Sequence, residues 1–97
     1  MPTYIVLGNF TDQGIRNAKD IPKRAEAAKT MARKTGVTVK DTFYTLGAYD
    51  FVSILDAPDE ASLTAFGLGV GALGNVRTQT LRAFSVADMK TILGKLP

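Results

Sequence analysis

The chain has no cysteine and no histidine. Their absence excludes disulfides, thiol nucleophiles, cysteine-based zinc sites, histidine triads and histidine-ligated metals, and leaves carboxylates as the only protein ligands for a hard cation. No metal and no cofactor is expected on this basis. No apolar run approaches the roughly 20 residues that a membrane span requires, so no membrane partner is expected. The opening "MPTYIVLGNF" lacks both a basic region and a long apolar region of the signal-peptide kind. With cysteine absent as well, the expected location is cytoplasmic.

What is present is ordinary for a globular domain. The chain has 97 residues, of which 45% are hydrophobic and 22% charged. A chain of this size buries roughly 60 to 65% of its unfolded surface, enough for one two-layer core, and the expectation is a single domain over residues 1–97. The net charge of +3 is unevenly spread. Arg16, Lys19, Lys23, Arg24, Lys29, Arg33 and Lys34 face only Asp20 and Glu26 in the same segment. A nucleic-acid surface is one reading of this cluster, and the solvated side of an amphipathic helix is the other. No basic stripe with interleaved aromatics continues elsewhere, so nucleic acid is not an expected partner.

Periodicity and turn chemistry give the element order. "PTYIVLGNF" is rich in β-branched and aromatic residues and predicts a strand over about Thr3 to Asn9. Ile15, Ala18, Ala25, Ala28 and Ala32 fall on one helical face. Pro22 interrupts that segment, and Asp20 is placed to cap a new start, so a short turn and then a main helix to about Lys34 are expected, with Gly36 as its stop. "VTVKDTFYTL", the Gly47 turn and "YDFVSILDA" predict an antiparallel hairpin. Pro58, Asp59 and Glu60 open a second helix running to about Ala72, with the proline in its first turn. "NVRTQTLRAFS" is a fourth strand, and Ser85 to Leu93 a short helix with Ser85 and Asp88 spaced as a capping box.

The order β-α-β-β-α-β defines an α+β, ferredoxin-like sandwich: a four-stranded antiparallel sheet with both main helices on one face. Alternation divides the strands into Ile5, Leu7, Val52, Ile54, Leu81 and Ala83 on one side, and Tyr4, Val6, Phe10, Phe51, Leu55, Thr78, Thr80, Arg82 and Phe84 on the other. Neither set is polar enough to face water. A second copy packed sheet to sheet is therefore expected to cover the bare face.

Few residues carry chemistry. "GLGVGALG" contains Gly69, Gly71 and Gly74 at dinucleotide-fingerprint spacing, but a helix precedes it and a strand follows, the reverse of what the fingerprint requires. The spacing instead predicts a close approach of the second helix to the sheet, with Gly74 ending the helix. The remaining candidates are Arg24, Tyr44, Gly47, Tyr49, Asp50, Thr78, Thr80 and Arg82. Tyrosine hydroxyls, a half-buried carboxylate and arginines can hold a small polar ligand or move a proton without a metal. Each also has a structural reading: the tyrosines as edge packing, Asp50 as a turn cap or a partner of Arg24, Arg82 in an intersubunit ion pair, and Thr78 and Thr80 as ordinary β-branched strand residues.

Three segments, "YIVLGNFTDQGIRNAKDIPKRAEAAK", "YTLGAYDFVSILDAPDEAS" and "GALGNVRTQTLRAFS", together resemble the GYD-domain proteins, whose Gly-x-Tyr-Asp element is here Gly47, Tyr49 and Asp50. The resemblance spans nearly the whole chain and implies a dimeric α/β barrel of ferredoxin-like subunits. It supplies no activity. The layout is more distantly similar to the effector-binding domains of feast/famine regulators, which implies a pocket shaped by Gly47 and Asp50 at an oligomer interface. No helix-turn-helix accompanies it, so DNA reading is not implied. The same barrel hosts cofactor-free monooxygenases, whose usual histidine is impossible here.

Two functions stand open. One is an oligomeric small-molecule-binding or interaction module without catalysis, the reading favoured here. The other is a cofactor-independent enzyme acting on a small anionic organic molecule, with Asp50 as base, Tyr44 or Tyr49 beside it, and Arg24 or Arg82 holding the anion.

Overall fold

A computed structural model describes residues 1–97. The elements are β1 (Thr3–Phe10), α1 (Asp12–Arg16), a 3-10 turn (Ala18–Asp20), α2 (Ile21–Thr35), β2 (Thr38–Tyr44), β3 (Phe51–Asp56), α3 (Glu60–Ala72), β4 (Val76–Ala83) and α4 (Val86–Leu93). The strands form one antiparallel sheet in the order β2-β3-β1-β4, which is the split βαβ arrangement expected from the element order. No helix is long and apolar enough to cross a membrane.

Strand β1 organises the sheet because it is hydrogen-bonded on both sides. Tyr4 lies between Leu55 and Arg82, Val6 between Ser53 and Thr80, and Gly8 between Phe51 and Thr78. The period of two sends all of these toward the helices, while Ile5, Leu7 and their partners Ile54, Leu81, Val52 and Gln79 point the other way. On the helix side Tyr4, Val6 and Leu55 join Ala32 of α2, Leu63 and Phe66 of α3, and the flanking Val37 and Ala57 in one buried cluster. Leu55 and Ala32 are each only 1% exposed.

Several local expectations need correction. Ile15 and Ala18 do not share the buried face of Ala25, Ala28 and Ala32; both are exposed, because α1 and the 3-10 turn break the helical phase before α2 begins. Asp20 precedes α2 but makes no side-chain cap bond. Pro58 stands before the cap of α3 and outside the helix, since Asp59 is the N-cap and its side chain accepts from the Ser62 N–H. The close approach made by the glycines of α3 is to α2 rather than to the sheet: a Cβ on Gly69 would stand 2.6 Å from the Met31 sulfur. Gly36 and Gly74 do follow the two main helices with positive φ, and the Ser85–Asp88 capping box is formed.

A bulge decides which side β2 shows. Val39 pairs with Leu55 but Asp41 pairs with Ile54, so one extra residue, Lys40, is inserted and the alternation reverses beyond it. Thr42 and Tyr44 are thereby aligned with Ser53 and Phe51 on the helix side, and Phe43 with Val52 on the open side. The Thr42 and Ser53 hydroxyls meet at 2.9 Å.

The molecule is elongated. Its radius of gyration is 14.7 Å and its long axis 51 Å, against roughly 12.5 Å expected for the radius of a compact chain of this length. The cause is α4, which lies apart from the two-layer core and leaves Val86 79% and Leu93 53% exposed.

Two outcomes follow from this packing. Leu55→Ala should lower unfolding stability in urea by about 2–5 kcal/mol, because it opens a cavity under both helices; a change below 1 kcal/mol would contradict the described core. The Ser62 backbone N–H and hydroxyl hold the Asp59 carboxyl below its ordinary value of 3.8. A depressed carboxylate contributes stability above its unfolded pKa and loses it as pH falls through the folded one. The melting temperature of Asp59→Asn should therefore fall less steeply than that of the native chain between about pH 4 and pH 2.

Candidate functional site

Between the sheet and the α2–α3 layer lies a cavity of about 520 Å³. Its floor is the helix side of β1 and β3, chiefly Val6, Phe10, Phe51 and Leu55, and its edges are Tyr44 of β2 and Thr78 and Thr80 of β4. Arg24, Ala28 and Met31 of α2 and Phe66, Gly67 and Val70 of α3 form the roof.

The floor is shaped by one close approach. A Cβ on Gly8 would stand 2.0 Å from the Phe51 ring, so the ring lies across the strand where only glycine leaves room. Phe10 meets that ring at 5.8 Å between centroids, tilted by 39°. The Arg24 guanidinium lies 5.7 Å above the Phe10 ring and donates to the carbonyl oxygens of Asn17 and Gly14, each at 3.1 Å. These carbonyls belong to α1 and its C-cap, so Arg24 ties α1 to α2 and, through the Phe10 ring, to the sheet. No carboxylate stands within 4.0 Å of it.

The expected site residues separate into two groups. Arg24, Tyr44, Thr78 and Thr80 line the cavity; Gly47, Tyr49, Asp50 and Arg82 do not. Residues 45–50 form a loop, so Tyr49 and Asp50 precede β3 and are not its first residues, and the hairpin is looser than a two-residue turn. Gly47 sits in it at φ 101°, and a Cβ there would meet nothing within 4 Å.

Asp50 completes the end of β1. Its backbone N–H donates to Gly8 O at 2.8 Å, while its Oδ2 accepts from the Phe10 N–H at 2.9 Å. The side chain thus supplies the acceptor that a continuing strand would have supplied. The loop is closed by Thr45, whose N–H donates to Asp50 O and whose hydroxyl donates to Tyr49 O. The Tyr49 hydroxyl donates to Gln79 Oε1 at 3.2 Å across the sheet. Arg82 lies over Tyr4 and Phe84, with centroid distances of 5.5 and 4.5 Å, and donates to the Thr3 and Ala83 carbonyls. The pairing of Asp50 with Arg24 is not formed; the two act on the same residue, Phe10, one on its backbone and one on its ring.

Sequence reasoning missed Thr42, Ser53 and Gly67. The bulge at Lys40 carries no distinctive residue type and conceals the alignment of Thr42 with Ser53. Gly67 is obscured by the run of glycines around it, which differ only in what they face.

The fold is ferredoxin-like, and the family follows from comparison with known proteins. The family described as "GYD domain" matches residues 4–93, and the chain belongs to it. A Thermus thermophilus protein named "Glutamine synthetase and cystathionine beta-lyase binding protein" is 39% identical over 90 residues, covering 92% of this chain and 95% of that one. The crystal structure of TTHA0845, also from Thermus thermophilus, superposes with a TM-score of 0.61 at 25% identity, over 89% of this chain and 96% of that one. MtbAldR superposes with a TM-score of 0.66 at 19% identity, a likeness of fold; 87% of this chain matches, and it spans about half, 52%, of the MtbAldR chain.

Asp50→Ala should destabilise the chain by about 1–3 kcal/mol by leaving the Phe10 N–H without an acceptor, whereas Asp50→Asn, which keeps a carbonyl oxygen, should cost less than half as much. Equal effects in chemical denaturation would show that the Phe10 bond contributes nothing. Gly47→Ala should cost about 1 kcal/mol through its backbone alone.

Proposed function

We propose that the chain is an oligomeric interaction module without catalysis: two copies pair through the bare faces of their sheets, and the assembly docks on a partner enzyme. The observation that carries this reading is the open side of the sheet. Ile5, Leu7, Val52 and Ile54 are half-buried there with no helix above them, Leu81 is 40% exposed, and Phe43 is 56% exposed. Apolar side chains across adjacent strands form a continuous surface of the kind that marks a protein interface.

Two further points support it. Asp50 and Tyr49 bond to Phe10 and Gln79 and do not line the cavity with Arg24, and Tyr44, which does line it, has no Asp50 beside it to act as base. The Thermus relative is named for binding two enzymes, and at 39% identity over nearly its full length it makes glutamine synthetase and cystathionine β-lyase the first partners to try. The cavity on the helix side belongs to this reading only as a small-molecule site on a binding protein.

Light scattering on a sizing column should give twice the 10.4 kDa chain mass for the native protein. Leu7→Arg, which places a charge in the middle of the bare face, should give the single-chain mass with its circular dichroism unchanged. A native monomer at micromolar concentration would refute the pairing. Immobilised native protein should retain glutamine synthetase or cystathionine β-lyase and not an unrelated enzyme of similar charge; retention of neither would remove enzyme docking and leave the pairing intact.

A further inference from the structure

We infer that the cavity between the sheet and the α2–α3 layer binds a small amphipathic organic acid, with its carboxylate at Arg24 and its apolar body over Phe10 and Phe51. The site lies on the opposite side of the sheet from the proposed pairing face, and the readouts differ, oligomeric mass for the pairing and ligand-induced amide shifts for the cavity, so failure of one is distinguishable from failure of the other.

The volume is the first observation. Sites for small ligands are clefts of roughly 300–1,000 Å³. This one is a half-open cleft of about 520 Å³ whose rim residues Tyr44, Thr78 and Thr80 are exposed.

Gly67 is the second. Glycine in a helix interior is destabilising relative to alanine, so its presence needs a local reason. Gly69 has one in the nearby Met31 sulfur, but a Cβ on Gly67 would meet nothing within 4 Å. Gly67 lines the cavity and its φ is not positive; Gly71, one turn further on, is equally open but lies outside the cavity, so of the two only the missing side chain of Gly67 adds depth to it.

Charge is the third. Of the cations lining the cavity, Lys29 is paired with Glu26 at 3.9 Å and Lys40 with Asp56 at 3.8 Å. Arg24 alone has no carboxylate within 4.0 Å. Two of its five N–H donors are bound to carbonyls, which fixes the planar fork and leaves three donors for an incoming acid. The Thr78, Thr80 and Tyr44 hydroxyls form no hydrogen bond within the chain and can accept or donate along the ligand's edge. The lining holds one carboxylate, Asp41, against the three cations Arg24, Lys29 and Lys40, so its charge favours a simple acid over an amino acid, whose ammonium would face that excess.

The test uses the native, isotopically labelled protein and three probes: 4-phenylbutyrate, its neutral amide, and phenylalanine. The acid should shift the amide signals of Phe10, Gly67, Thr78 and Thr80 and bind roughly tenfold or more tightly than the amide, as a charge-assisted hydrogen bond requires. Phenylalanine should bind more weakly than the acid. Arg24→Gln should reduce the acid to the level of the amide, and Gly67→Leu should abolish binding of both with the circular dichroism retained. Should Arg24→Gln unfold, the acid-to-amide ratio in the native chain still decides the question. Equal binding of acid and amide, shifts confined to other residues, unchanged binding by Gly67→Leu, or no binding of any probe would each overturn the proposal.

Discussion

The passage of the Phe51 ring across Gly8 is the constraint on which the helix side of the sheet depends. A side chain at position 8 would collide with the ring, which would then have to turn up into the space under the helices. With glycine there the ring lies low, Phe10 leans against it, and Arg24 lies above Phe10. One missing Cβ therefore sets the height of the floor, and the cavity is the space between that floor and the α2–α3 roof. The cost in sheet stability of a glycine in a central strand is offset by pairing on both sides and by the ring that replaces its missing side chain.

Asp50 acts on the same place from the loop. Beyond Gly8 the β1–β3 ladder ends, and Phe10 would have a free N–H at the edge of an apolar cavity, a position where an unsatisfied donor is costly. The Asp50 carboxylate meets it, and the loop from Thr45 to Asp50 is held shut by bonds to Thr45. The loop carrying Gly47, Tyr49 and Asp50 thus acts here as a backbone clasp. Its effect on the cavity is indirect: it holds the strand end that carries the Phe10 ring.

Much of this was legible in the sequence because it rests on period-two alternation and on turn chemistry. The four strands, two main helices, capping box and division of the strands into two faces all follow from side-chain type along a single element. Thr78 and Thr80 fall on the helix side by the same alternation. What was hidden depends on relations between elements. The bulge at Lys40 reverses the faces of Thr42, Phe43 and Tyr44 without a glycine or proline to signal it. The break of helical phase between Ile15 and Ile21 made a single amphipathic face look longer than it is. Asp50 bonds the Phe10 N–H, a partner hidden in the sequence because one short polar side chain beside a turn reads the same whether it holds a ligand or a backbone N–H.

The two faces of the sheet are coupled through that alternation. Leu7, Val52 and Phe43 on the open face alternate along their strands with Val6, Gly8, Phe51, Ser53 and Tyr44 on the cavity side. A displacement of the backbone moves both sets together, since successive side chains leave opposite sides of the same strand. A second copy pressed against the open face would hold β1, β2 and β3 in register, and so hold the Phe10–Phe51 floor and the edge at Tyr44. Conversely, a ligand that lifted the Phe51 ring would act on the strand whose other side carries Val52 and Ile54. In a sheet this thin, the proposed association through one face and the proposed occupancy of the other would share the same backbone, which would give the chain a physical means of making one sensitive to the other.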